Sequence, residues 1–309
     1  MKARSQLEEI LRQGKFAVTG ELSPPQGNDA RLIKEKANLL KGYVDAVNVT
    51  DNPNGIVRMS SLVASSLLLQ MGLEPVMQIS TRDRNRIAIQ SDIFGATALG
   101  ITNLLCLSGV HQSFGNQGDS KNVYDLDSVQ LVDAVRGMRD RGTLLGNDEK
   151  IEGEIRLFIG AAANPSADPL EAHIIRLGKK VKAGVDFIQT ACVYDMTRFR
   201  EWMKMARDRG IHEKAHLLVG IMPLKSGQMG RDIQKKFPGV LVPDGLIERL
   251  DKAGNPEEEG IKLCIEQIAM LQEIEGIHGI HLMTSGWEEG VSRIIQEAGL
   301  LPRPKVGQA

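Results

Sequence analysis

The sequence predicts an α/β protein, a single (β/α)8 barrel of the TIM type over residues 1–309 with a short extra helix at its N-terminus. Three observations predict it. Eight short, apolar, β-branched segments alternate with helical patterns along nearly the whole chain. Their sides are not split into apolar and polar faces, as expected of parallel strands covered on both faces. The first strand leads into Glu21-Leu-Ser-Pro-Pro25, which lacks the glycine-rich turn that a doubly wound dinucleotide-binding sheet wants there.

The elements follow in order. Leu7, Ile10 and Leu11 fall at helical spacing in 3–13, a helix placed to cap the bottom of the core. Phe16, Val18 and Gly20 alternate as strand one, and Pro24 and Pro25 end it, so Glu21 stands where strand becomes loop. A helix over 30–41 precedes strand two, 43–50, and the turn residues 50–55. A helix over 60–71, strand three at 74–80, a helix over 85–99 and strand four at 103–109 come next. A long polar loop runs to about residue 123, and Asp127 is the expected N-cap of a helix to 138. After a polar connection, 139–153, strand five is expected at 155–160 and a helix over 169–183, closed by Gly184. Strand six is expected at 185–190, a helix at 196–208 and strand seven at 216–223. Two short helices, 226–237 and 243–252, and a long one, 257–273, lead to strand eight at 279–283 and a last helix, 287–298.

Composition narrows the function. The chain has 309 residues, 42% hydrophobic and 25% charged, with a net charge of −1, so bulk charge recruits no nucleic acid. Cys106, Cys192 and Cys264 have no CxxC spacing; Cys106 and Cys192 lie in apolar runs and read as buried thiols. This suits a reducing, cytoplasmic setting. No apolar run reaches the roughly 20 residues of a membrane span, and no signal peptide is expected.

In a barrel, the strand ends converge on one mouth. Glu21, Thr50, Gln78 to Arg82, Ser108-Gly109, Ala163-Asn164, Thr190 and Lys225 would ring it. Glu21 is either a solvated strand-end carboxylate or an acid of the site. Thr81-Arg-Asp-Arg-Asn-Arg86 either binds an anionic ligand or locks the barrel top with ion pairs, and its arginines could divide between the roles. His173, Arg176 and Lys180 fall at i, i+3 and i+7, a basic face suited to phosphates or simply to solvent. Lys225 could form a Schiff base, hold an anion, or stay at the surface. Histidines and cysteines show no metal-ligand spacing, and no P-loop or GxSxG motif occurs. Trp202, Met203 and Met205 read as packing groups.

Taken together, Glu21-Leu-Ser-Pro-Pro25, Asn48-Val-Thr50-Asp-Asn52, Pro75-Val-Met-Gln78, Thr81–Arg86, Leu104-Leu-Cys-Leu-Ser-Gly109, Tyr124-Asp-Leu-Asp127, Lys179–Gly184 and Pro223-Leu-Lys-Ser226 resemble the methylenetetrahydrofolate reductase family, in its short bacterial form. The order and spacing of the pieces carry the resemblance from about Phe16 to Pro304. It is closest to the form of acetogens and similar anaerobes, which works with a second protein carrying zinc or iron–sulfur. The resemblance implies a non-covalent flavin, FAD or FMN, that passes hydride from N5 to 5,10-methylenetetrahydrofolate. It implies Glu21 as general acid, and Thr50, Gln78, Arg82, Ser108, Gly109, Tyr124, Ala163, Asn164 and Lys180 at the flavin, with His173 and Arg176 at its outer portion. Lys225 and Ala191 fall at substrate positions. NAD(P)H or a redox partner protein would reduce the flavin, and a homo-oligomer is compatible.

Three positions depart from the family. Gly109-Val110 stands where Gly-Asp is usual, Thr190-Ala191 where Thr-Gln is common, and Ser226-Gly227 where some members carry a folate-stacking aromatic. The first two, Val110 and Ala191, motivate a second reading, a repurposed flavin- or folate-binding barrel serving as a subunit of a methyl-transfer or redox complex; relatives of this subtype also lack the aromatic at the third. A third is a flavin-free reductase fed directly by a nicotinamide.

Overall fold

The computed structural model describes residues 1–147, 149–236 and 239–305. Eight parallel strands close in sequence order into a barrel: β1 (Ala17–Leu22), β2 (Ala46–Val49), β3 (Pro75–Ser80), β4 (Asn103–Leu107), β5 (Phe158–Ala163), β6 (Phe187–Cys192), β7 (His216–Ile221) and β8 (Gly279–Leu282). The helices are α1 (Gln6–Arg12), α2 (Ala30–Leu40), α3 (Ser61–Gln70), α4 (Arg86–Ala98), α5 (Ser128–Asp140), α6 (Leu170–Ala183) and α7 (Met196–Asp208). They continue with α8 (Ile211–Lys214), α9 (Gly227–Lys236), α10 (Asp244–Lys252), α11 (Pro256–Gln272) and α12 (Glu289–Glu297). The expected barrel and N-terminal helix are both present. The expected end of the 226–237 helix lies outside the described residues.

Strand alternation divides the core in two. Outward residues such as Val18, Val47, Met77, Leu104, Ile159 and Ile188 pack under the helices in the largest apolar cluster. Inward residues Ala17, Ala46, Val76, Leu105, Phe158, Phe187 and Leu218 form a second cluster at the barrel bottom, closed from below by Leu7, Ile10 and Leu11 of α1. Those three side chains are essentially fully buried, and each contributes about 2 kcal/mol of transfer free energy. Phe158 and Phe187 stack at 5.1 Å, and Gly160 makes room, since a Cβ there would lie 2.2 Å from the Phe187 ring.

Three strands start later than their apolar runs suggest. β2 begins at Ala46 rather than residue 43, β6 at Phe187 rather than 185, and β5 at Phe158 rather than 155, running on to Ala163. For β2 and β6 the cause is a buried aspartate just before the strand. Asp45 accepts Val18 N–H (2.7 Å) and Asp186 accepts Ile159 N–H (2.8 Å), so each carboxylate occupies a neighbour's backbone donor below the first strand residue. For β5, the Ala161–Ala163 run has little intrinsic strand preference. Pairing with β4 and β6 on either side makes it strand nonetheless. The four-residue α8 was not anticipated from the sequence.

Arg303 of the C-terminal segment pairs with Asp45 at 2.5 Å and donates to Phe16 O at 2.9 Å, fastening the chain's last described turn to the barrel bottom. Both partners of this pair are largely shielded from water, where loss of one partner costs about 3 kcal/mol or more. We expect Arg303→Ala to lower the free energy of urea unfolding by roughly that amount; a change within 0.5 kcal/mol, the scale of an ordinary surface site, would show that Asp45 needs no partner.

Candidate active site

Above the bottom cluster the barrel interior turns polar. Gln78 of β3 donates to Asn48 Oδ1 of β2 at 2.6 Å, Asn48 donates to Gln189 Oε1 of β6, and Gln189 donates to Thr19 Oγ1 of β1 at 3.2 Å. Thr19 Oγ1 lies 2.9 Å from Nδ1 of His281 in β8, and His281 Nε2 lies 3.8 Å from Glu21 Oε2. Every amide in this chain donates in the same direction. Besides accepting from Gln189, Thr19 Oγ1 has two neighbours to which it could donate, His281 Nδ1 at 2.9 Å and Ile280 O at 3.4 Å. With the hydroxyl proton on the nearer of these, the neutral ring carries its own proton on Nε2, the edge that faces Glu21.

A cavity of about 370 Å³ opens over this layer. On one side Glu21, Gln78 and His281 line it. Opposite stand Ala162, Ala163 and Asn164 at the end of β5, Thr190 and Ala191 of β6, and His173, Arg176 and Lys180 from one face of α6. Thr190 sits where the β6–β7 register slips, and its hydroxyl accepts Gly220 N–H at 2.9 Å. Gly220 could carry no side chain there, since its Cβ would fall 2.3 Å from Thr190 O. Lys180 is 9% exposed, and its Nζ donates to Ala162 O at 2.6 Å. Burial first, and then the neighbouring Arg176 cation, lower its pKa from 10.5 to about 8. Arg176 itself is half exposed and reaches Asp127 at 3.4 Å, a pair too exposed to fix it.

Nine of the residues singled out from sequence for the mouth thus line one cavity: Glu21, Gln78, Ala163, Asn164, His173, Arg176, Lys180, Thr190 and Ala191. Others lie outside its lining. Thr50 is buried and donates to Ser23 Oγ at 3.1 Å. Ser108 Oγ accepts Ser128 N–H at the start of α5. Gly109 has φ +84°, and a Cβ there would sit 3.0 Å from Arg82 Cβ, so only glycine fits without a shift. Tyr124 donates to Gly109 O at 3.3 Å. Lys225 lies 4.5 Å from the centre of the Trp287 ring and 3.9 Å from Glu257.

The arginine segment after β3 divides its work among loop contacts. Arg82, 2% exposed, donates to both oxygens of Asp83 and to the carbonyls of Val110 (2.9 Å) and Asn52 (3.1 Å). It therefore joins the loops after β2 and β4. Arg84 pairs with Asp51 and Asp92, and Arg86 with Asp125. Of the two roles left open by the sequence, these contacts are those of the ion-pair lock. Gly115 presses against Gly55 so closely that a Cβ would lie 1.9 Å from Gly55 O, and Val57 N–H donates to Asn116 Oδ1. Val110 points out and is exposed.

Sequence reading did not single out Thr19, Gln189 or His281 as site residues. Their signal was a lone polar residue at one inward position of an otherwise apolar strand, as in Ile188-Gln189 and Ile280-His281-Leu282. All three cysteines are buried free thiols, with burial raising Cys106 to about 12. Among the described residues no group of three or more metal-ligating side chains comes together, and no helix is long and apolar enough to cross a membrane.

Residues 6–299 match the sequence model of a family described as methylenetetrahydrofolate reductase. Methylenetetrahydrofolate reductase 2 of Schizosaccharomyces pombe is 26% identical over 285 residues, covering 89% of this chain and 43% of its own. A probable NADPH-type enzyme of the family from Caenorhabditis elegans is 23% identical, covering 79% and 35%, and an NADH-type one from Arabidopsis thaliana is 24% identical, covering 100% and 52%. The chain therefore spans about half or less of the length of these curated relatives. A similar fold occurs in an uncharacterized Clostridium thermocellum protein that binds two copies of 5-methyl-5,6,7,8-tetrahydrofolic acid (TM-score 0.67, 11% identity, 96% of this chain and 100% of that one). It occurs also in 2,3-dimethylmalate lyase (TM-score 0.53, 12% identity, 99% and 89%).

The buried Lys180 gives a pH test. Its folded pKa of about 8 lies below the ordinary 10.5, so folding disfavours its charge, and that penalty is full below pH 8 and relieved as pH rises toward 10.5. A difference of that size corresponds to about 3 kcal/mol. We expect Lys180→Met to gain stability relative to the parent at pH 7 and to lose most of that advantage by pH 10, read from urea unfolding of both proteins. An advantage independent of pH would mean that Lys180 does not titrate in this window.

Proposed function

The chain belongs to the methylenetetrahydrofolate reductase family, and we propose that its mouth reduces 5,10-methylenetetrahydrofolate to 5-methyltetrahydrofolate with a bound flavin, FAD in the first instance. The observation that carries this reading is Glu21. It is the one carboxylate among the described residues lining the mouth, and the Nε2 edge of His281 faces it.

The residues present fit a flavin. Ala162, Ala163 and Ala191 keep one wall low, Gln78 and Asn164 offer amide donors and acceptors, and His173, Arg176 and Lys180 place donors for the phosphates of its outer portion. Thr50, Ser108, Gly109 and Tyr124 would serve from the adjoining strand ends and loop. When bound, the flavin supplies the hydride. The protein's own task is the proton. Opening the five-membered ring of the substrate breaks a C–N bond whose electron pair goes to nitrogen. Glu21 gives that nitrogen its proton, and the methylene carbon is left as an electrophilic iminium. The Thr19–His281 contact holds the imidazole edge toward Glu21, and so orients the carboxyl for this transfer. The electron donor in this reading is NAD(P)H or a redox partner protein, including one carrying zinc or iron–sulfur.

One observation favours a second reading. With an exposed Val110 and with Ala191 in the wall, Glu21 is the sole acid that the described residues lining the mouth offer to the pterin. In that reading the barrel binds flavin or folate as a subunit of a methyl-transfer or redox complex and turns over weakly or not at all.

Anaerobic stopped-flow absorbance separates the two. Protein reconstituted with FAD is reduced and mixed with 5,10-methylenetetrahydrofolate. We expect prompt flavin reoxidation with formation of 5-methyltetrahydrofolate, slowed about a hundredfold or more in Glu21→Gln with flavin binding retained. A wild-type flavin that binds and stays reduced rejects the reductase reading in favour of the second. Full activity in Glu21→Gln rejects only the role of that residue.

A further inference from the structure

A second cavity, of about 250 Å³, lies between the ends of β6 and β7 and helices α10 and α11, apart from the mouth. Its wall is sulfur-rich: Met196, Met222, Cys264 and Met270 line it together with Tyr194 and Leu246. Tyr194 is 6% exposed, and its Oη finds no oxygen or nitrogen hydrogen-bond partner among the described residues, only the weakly bonding thiol of Cys192 beside it. Arg249 and Glu266, also in the wall, are paired with each other at 2.8 Å, so the cavity offers no unpaired charge from either.

The contents can be argued from size and lining. A cavity of about 150 Å³ lined by aliphatic groups stays dry and takes benzene, whereas a buried water needs two to four polar partners. Here the apolar and sulfur atoms dominate. Gln267 Nε2 is already given to Val193 O, and Tyr194 Oη is the one buried side-chain polar atom among the described lining residues that has no oxygen or nitrogen partner and so can meet a guest. Thioether and thiol sulfurs make favourable contacts with aromatic rings, and unbranched methionines adapt to their shape. We propose that this cavity is a binding site for a small neutral aromatic molecule, one or two rings in size, with a single hydrogen-bonding group that meets Tyr194 Oη.

The site is close in sequence to the mouth without being part of it. Tyr194 follows Ala191 by three residues, and Met222 and Leu224 stand just before Lys225. Gly260 lets α11 close on this segment, for a Cβ there would lie 1.8 Å from Leu224 O. A guest therefore rests on the two strand exits that also shape one wall of the mouth. The proposal does not depend on which reaction the mouth performs.

The test uses 5-fluoroindole, followed by fluorine NMR on the full chain, with indene as the isostere that lacks the N–H. We expect saturable binding of one equivalent, abolished in Leu246→Trp, which fills the cavity, and likewise in Met196→Trp, should the first variant fail to fold. Wild type should prefer 5-fluoroindole to indene by about tenfold, the value of one satisfied hydrogen bond, and Tyr194→Phe should erase that preference. Absence of saturable binding, binding that survives the filling substitutions, or equal affinity for the two probes in the wild type would each overturn the proposal.

Discussion

The middle of the barrel cannot hold an unpaired polar group, and much of the structure follows from that constraint. Water reaches the mouth, but the inward layer below it is buried, so Thr19, Asn48, Gln189 and His281 must satisfy one another. They do so in a chain that crosses the interior from β3 to β8. No member can be made apolar alone without orphaning the next. The chain fixes the ring of His281, and His281 in turn sets what Glu21 meets. Stability and chemistry are thus carried by the same few amides. An apolar layer would have closed the barrel equally well, but it would have left Glu21 without a fixed neighbour.

The bottom of the barrel solves a similar problem with carboxylates. Asp45 and Asp186 occupy equivalent places, one residue before β2 and β6, and each accepts the backbone N–H of the preceding strand and an arginine. Glu74 accepts the first two N–H groups of α1, Gln6 and Leu7, together with Asn103. Burial pushes the Glu74 pKa up, and those donors pull it back. The helix that plugs the barrel is therefore held by a carboxyl group that accepts its first two N–H donors as well as by its leucines. The recurrence of the aspartate device four strands apart relates the two half-barrels locally, although the sequence carries no strong repeat.

Much of this was legible in the chain itself. Periodicity placed the eight strands and most helices because parallel strands and amphipathic helices have distinct apolar spacings. It placed the starts of β2 and β6 too early, because Val44 and Val185 are apolar but precede an aspartate that terminates the ladder. It stopped β5 too early, because alanine says little about conformation by itself. Glu21 and the basic face of α6 were found since one closes a strand before two prolines and the other repeats at helical spacing. Gln189 and His281 were missed, since a lone polar residue in a strand gives no hint of which partner lies across the barrel. Arg82 could not be assigned from sequence, because its partners are carbonyls of loops 28 and 30 residues away.

The clasp between Gly55 and Gly115 has a mechanical consequence. Backbone touches backbone there, and Arg82 rivets both loops from beneath, so the segments after β2 and β4 form one stiff plate rather than two flaps. A plate does not bend at a single residue. Lengthening either loop, or giving position 115 any side chain, would pry up the whole of that rim, including the carbonyl of Val110. Natural variation on this side of the barrel should therefore come as matched changes in both loops, with the two glycines kept as the joint.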